Sequence, residues 1–335
     1  MKRHIVHALV LLTIAFLASC GESGELNTLF LEADELMNTR PDSALCLLEE
    51  VRPEVASCPR SQRMRHELLV AKAMNKAYVD FTTDSIMLTV TDYYDHHGTP
   101  NERMLAHYLL GCTYRDLGEA PRTLECYKDA VACADTLSPD CDYRTMMSIY
   151  GQIATLYDKQ VMPMEEIEAN NAFGKYAILC GDTLNYIRSI ELQVRAYNLL
   201  GDTAKIFETT KKAYQLFMDR NLPDYASQTL PIAIVKHLRH EHYDEAKKLM
   251  DIFEANSGFF TESGEIDPQR SHYYNSKGLY YLGISQLDSA EYFFKKLLAH
   301  GHGYNATKGL IRVYDEQNKH DSVSKYVKEF EGYQN

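Results

Sequence analysis

Beyond residue 25 the chain alternates apolar stripes of helical period with short polar breaks. Residues 185–200 show the pattern. Ile187, Ile190, Val194 and Tyr197 recur at three- and four-residue steps and so share one helix face. Arg188, Glu191, Arg195 and Asn198 keep the same steps one residue later and form a polar ladder flanking that face. Breaks fall at Arg40-Pro41-Asp42, His97-Gly98-Thr99-Pro100, Cys180-Gly181-Asp182 and Gly201-Asp202, where Pro and Gly end helices and Asp starts them. An Asp-Ser-small triplet recurs at Asp42, Asp84, Asp288 and Asp321, predicting an Asp just outside a helix start that caps free N–H groups. The helices pair as 26–38 with 42–51, 64–77 with 85–96, two within 104–140, and 150–157 with 165–179. Four more pairs follow: 185–200 with 205–217, 225–239 with 243–253, 272–282 with 289–298, and 305–314 with 322–330. The fold class this predicts is all-α, with eight antiparallel helical hairpins. Gly258 to Pro268, GFFTESGEIDP, reads as a turn-rich loop that exposes Phe259 and Phe260 unless they tuck in.

The pairs carry a specific signature. In 104–140, Leu110-Gly111, Tyr114, Leu117-Gly118, Tyr127, Ala130 and Pro139 have the spacing of a helical hairpin in which small Gly111 admits the second helix and two tyrosines fill the gap. This stretch resembles the tetratricopeptide (TPR) repeat, with His107 where that family prefers Trp and Thr123 where it prefers Ala. Tyr114, Tyr157, Tyr197, His237, Tyr281 and Tyr314 mark equivalent positions, separated by 43, 40, 40, 44 and 33 residues, mostly above the family's repeat of about 34. The resemblance implies a TPR-like α-solenoid over 26–331 coiled as a right-handed superhelix. Such units bury their apolar faces only against similar neighbours.

The N-terminus reads as targeting. Lys2 and Arg3 precede an apolar run from Ile5 to Ala18, followed by Leu17-Ala18-Ser19-Cys20. This resembles bacterial lipoprotein signals, which implies a signal peptide over 1–19, lipidation of Cys20 and a short tether over 20–25. The residue after Cys20 is not Asp, which in some bacteria retains lipoproteins in the inner membrane, so an outer-membrane anchor facing the periplasm is expected. The chain from Leu26 to Phe330 resembles TPR lipoproteins of Gram-negative envelopes. In longer relatives of that kind a similar half precedes a membrane helix and a cytoplasmic regulatory part, and here the sequence stops at Asn335.

Composition narrows the chemistry. A net charge of −12 speaks against nucleic acid as a partner, since neutralising phosphates needs clustered Lys and Arg. The 24 tyrosines and absent tryptophan fit repeat packing and weaken a glycan platform. Seven cysteines besides Cys20 contain no CxxC; Cys126 and Cys133 sit about 10 Å apart along one helix, too far to bridge. Cys112 and Cys126 read as buried thiols beside Tyr114 and Tyr127. The histidines at 237, 240 and 242, at 96 and 97, and at 300 and 302 lack HExxH spacing and read as turn residues, so no metal is expected. Carboxylate pairs such as Glu49-Glu50 and Glu165-Glu166 read as solvated helix faces. No nucleophile or phosphate-loop motif occurs, so neither an enzyme nor a cofactor is expected.

What remains is a groove lined by first helices. Candidate partner-contacting residues are Tyr108, Arg115, Arg188, Glu191, Arg195, Asn198, His272, Asn275, Lys308 and Arg312. Basic residues on an acidic protein suit an extended acidic peptide segment or envelope protein. The competing reading is a solvated face on which Arg188 and Arg195 both pair with Glu191. Three functions follow: a lipid-anchored interaction scaffold, a sensory or regulatory partner, or a substrate-binding lipoprotein of an uptake system.

Overall fold

A computed structural model describes residues 24–333. The signal segment and Cys20 lie outside the described residues. Of the expected tether, Gly24 and Glu25 are already helical.

The helices are α1 (residues 24–36), α2 (Pro41–Val55), α3 (Arg60–Lys76), α4 (Ser85–His97), α5 (Pro100–Asp116), α6 (Ala120–Cys133), α7 (Tyr143–Lys159), α8 (Pro163–Leu179) and α9 (Thr183–Leu200). They continue as α10 (Thr203–Met218), α11 (Pro223–Gln228), α12 (Pro231–Arg239), α13 (Tyr243–Asn256), α14 (Tyr273–Gly283), α15 (Leu287–Ala299), α16 (Gly303–Glu316) and α17 (His320–Gly332). The fold is an all-α, TPR-like helical solenoid. Among the described residues there is no strand, only one antiparallel bridge between Phe260 and Ile266. The chain divides into two compact units, one ending at Leu156 and one beginning at Tyr157.

In the α5–α6 and α14–α15 hairpins a glycine on the first helix receives a ring from the second. A Cβ built on Gly111 would stand 2.5 Å from the ring of Tyr127, which is fully buried. Phe294 of α15 does the same twice, because Cβ atoms on Gly278 of α14 and on Gly309 of α16 would both collide with its ring. Cys112 and Cys126 are buried here as small apolar groups, and the Tyr127 hydroxyl donates to Cys112 Sγ at 3.7 Å. No disulfide joins any of the seven described cysteines.

The turns repeat one shape. A single left-handed residue links most helix pairs, and it is glycine at 118, 181, 201 and 301. Elsewhere Val161, Asn221, Glu241, Ser285 and Asn318 take the same conformation, which no glycine announces. Asp182 and Asp202 cap α9 and α10, accepting from Asn185 N at 3.0 Å and Lys205 N at 2.9 Å. The triplet aspartates do not cap as expected. Asp42, Asp288 and Asp321 lie at the second helical position, behind Arg40, Gln286 and Lys319 as the flanking residues. There they still meet the positive end of the helix dipole, without a side-chain cap. Asp84 precedes α4 and accepts instead from the Tyr114 hydroxyl at 3.2 Å.

Two further expectations are corrected. The helix expected over 225–239 is broken into α11 and α12 at Pro231, which has no N–H for the residue 227 carbonyl; Leu230 N takes that carbonyl at 3.1 Å. Glu166 is not solvated: it is 3% exposed, and α8 buries it together with Asn170. The loop after α13 tucks its aromatics inward, with Phe259 and Phe260 both packed on Phe253 and Phe260 also on Tyr273.

Candidate functional site

In the second unit the first helices touch one another in order, α9 on α12, α12 on α14 and α14 on α16. Their partners α10, α13, α15 and α17 each pack on their own first helix. The result is a layer of adjoining first helices, α9, α12, α14 and α16.

On α9 the core stripe is as expected, with Ile187, Ile190 and Val194 buried. The open stripe is richer than the polar ladder alone. Leu184, Leu192 and Leu199 are 37%, 49% and 45% exposed, and they alternate with exposed Arg188 and Arg195. The mutual pairing of the competing reading, Arg188 and Arg195 both with Glu191, forms no ion pair among the described residues. Arg195 pairs with Asp158 at the end of α7, and the Arg188 guanidinium lies 5.6 Å from the centre of the Tyr225 ring. Glu191 is left half-buried, and burial holds its carboxyl above the usual carboxylate range, with Arg188 offsetting part of the effect.

Glu191 faces a cavity of about 390 Å³ whose walls come from α9, α11, α12, α13, α14, α15, α16 and the loop before α14. Phe253, Tyr273 and Leu297 supply apolar lining, while Arg239, Arg270, His272, Asn275 and His302 supply polar groups. The Arg270 guanidinium stacks 4.8 Å from the Phe259 ring. Desolvation, with the neighbouring His302 and Arg270, holds the His272 imidazole below its ordinary pKa.

Three of the ten predicted residues, Glu191, His272 and Asn275, therefore meet at one cavity. Lys308 and Arg312 are exposed on α16 beyond it, and Asn198 is half-buried on α9. Tyr108 and Arg115 belong to the first unit. Tyr108 is not on an open face: α5 is packed by α3, α4 and α6, and its ring lies 7% exposed against Tyr127. Arg115 is held by Asp116 Oδ1 at 2.8 Å and Asn75 Oδ1 at 3.3 Å. The sequence reading missed Leu184, Leu192 and Leu199, whose eight- and seven-residue spacing was there to see. It also missed Arg239 and Arg270, which no periodicity ties to α9.

Among the described residues no three His, Cys, Asp or Glu side chains are grouped to hold a metal ion. His237 stacks on Phe207 at 4.4 Å, and its ring meets His242 at 5.8 Å. No described helix is long and apolar enough to cross a membrane.

Comparison with family models and with curated proteins finds no match. Solved structures do resemble the chain. Aspartyl phosphate phosphatase F from Bacillus subtilis superposes with a TM-score of 0.52 at 12% identity, covering 92% of this chain and 94% of that one. The apo form of RapI gives 0.51 at 12% identity, covering 92% and 97%. BtubC from P. vanneervenii gives 0.51 at 15% identity, covering 66% and 89%. At these identities the likeness is one of fold.

Proposed function

We propose that the protein is a lipid-anchored scaffold of the bacterial envelope, not an enzyme, which binds a partner protein through an extended acidic segment. The observation that carries this reading is the outward face of the first-helix layer in the second unit. Exposed Arg188, Lys308 and Arg312 stand on these helices, with exposed Leu184, Leu192 and Leu199 alternating with the arginines of α9, in a chain of net charge −12. Long basic side chains can lie along such a face with their charged heads in water, which suits a reversible contact with carboxylates. A lipid on Cys20 would hold the scaffold at the membrane, and the outer membrane facing the periplasm is the location the N-terminal pattern favours.

The test is capture from detergent-solubilised envelopes. Arg188→Glu combined with Arg312→Glu should abolish recovery of the partner and leave the melting temperature within a few degrees, because surface changes usually cost under about 0.5 kcal/mol. Arg195 is left alone because it pairs with Asp158. Undiminished capture by the double variant would overturn the reading.

A further inference from the structure

The cavity beside α9 has a chemistry that an acidic docking segment does not use. We propose that it binds a small zwitterion, an apolar α-amino acid or dipeptide, whose ammonium group meets Glu191 and whose carboxylate meets Arg239 and Arg270.

Size sets the class first. A space of about 390 Å³ falls within the range of small-molecule sites, roughly 300–1,000 Å³. Charge then selects within the class. Glu191 lines the cavity from α9; among the described residues it accepts no hydrogen bond and forms no ion pair, and the Arg188 charge on the same helix only partly offsets its burial. Arg239, at the end of α12, likewise makes no ion pair or hydrogen bond there. Arg270 enters from the loop before α14, and its stacking on Phe259 leaves the guanidinium edge and its N–H donors open. Opposite charges thus line one cavity without an ion pair between them among the described residues.

A plain anion would meet Glu191, and a plain cation would meet two arginines. A molecule carrying both charges satisfies both sides. His272 adds no third positive charge at neutral pH, since its imidazole is held below the ordinary range. Phe253, Tyr273 and Leu297 give the remaining wall an apolar character, which suits a hydrophobic side chain on the ligand. Free amino acid and dipeptide offer the same pair of charged ends and differ only in their separation.

The inference does not depend on the docking reading, although Glu191 lies on the same layer of helices. Its test is calorimetric titration of the purified full chain with leucine and with leucyl-phenylalanine. The N-acetyl and the C-terminal amide forms of the dipeptide complete the set. Saturable binding of a free form is expected, and blocking either end should weaken the dipeptide about tenfold or more, as the loss of one charge-assisted contact does. Glu191→Gln should weaken the free form and erase the penalty for N-acetylation, while Arg239→Gln with Arg270→Gln should erase the penalty for the amide. Leucine alone binding would assign the site to free amino acids; the dipeptide binding more tightly would assign it to short peptides. No saturable heat from either free form, or equal binding of free and blocked dipeptides, overturns the proposal. Both outcomes can occur while partner capture persists, so this failure is distinct from failure of the scaffold reading.

Discussion

Val161 turns the chain between α7 and α8 with φ at 57°, a conformation in which its branched Cβ crowds the backbone. It is 61% exposed, so little packing would be lost by removing the side chain. Val161→Gly is expected to raise the unfolding free energy by about 1 kcal/mol in denaturant titration, after allowing for the greater freedom of glycine in the unfolded chain. Glu166 holds a different kind of cost. One carboxylate oxygen is buried without a partner, and desolvation raises its pKa above 4.5. A carboxyl whose folded pKa is raised favours folding below its unfolded pKa, and that advantage is lost as pH climbs through the folded value. Glu166→Gln should therefore be stabilising relative to the parent at pH 7. Its advantage should fade as pH falls toward 4.5, as denaturation midpoints at the two pH values would show. A Gln variant equally destabilising at both pH values would show that the ionised carboxylate is not the source.

At the scale of the element, α5 and α6, and α14, α15 and α16, are paired by rings seated in glycine gaps. Gly111→Ala would force its new methyl against fully buried Tyr127, and overpacking of this kind costs about 1–3 kcal/mol. Phe294→Ala is the converse. It empties a site shared by α14, α15 and α16, with an expected loss of about 3–5 kcal/mol. Thermal unfolding followed by circular dichroism at 222 nm checks both. The two changes act on opposite sides of one packing rule, so a neutral result for either would mean that the neighbouring helices can slide. The break at Pro231 also matters at this scale. It places Gln228 before the break and Pro231 and Val235 after it on the wall of the same cavity.

For the whole molecule, the proposal of a lipid anchor makes a direct prediction. Cys20→Ala should prevent incorporation of labelled palmitate and move the protein out of the membrane fraction or leave its precursor uncleaved. Unchanged partition would remove the anchor from the reading. The first unit carries its own core, in which α1, α2 and α3 pack Phe30, Met37, Leu48 and Val70 together. His66 is enclosed beside it, with Nε2 2.8 Å from the Leu48 carbonyl. The second unit is built mainly around Phe253, Tyr273, Phe294 and Leu310. Its outward basic residues stand on first helices, and its cavity is walled by first and second helices together with the loop before α14.

The sequence by itself determined the all-α class and, apart from the break at Pro231, most of the helices and the core stripe of helices such as α9. These depend on residues three, four and seven apart, a range that local periodicity reports. Gly111 and Tyr127 were legible as a packed pair for the same reason, being partners within one hairpin. Only the tertiary structure decided which polar groups stand together. Arg195 leaves Glu191 for Asp158, Tyr108 disappears beneath three neighbouring helices, and Arg239 and Arg270 reach the same cavity as Glu191 from separate elements. Glu166 and the left-handed Val161 were hidden because burial and backbone conformation there are imposed by packing against residues distant in sequence. A cavity assembled from several helices and a loop has no period along the chain, so its charges became a site only when the helices were stacked.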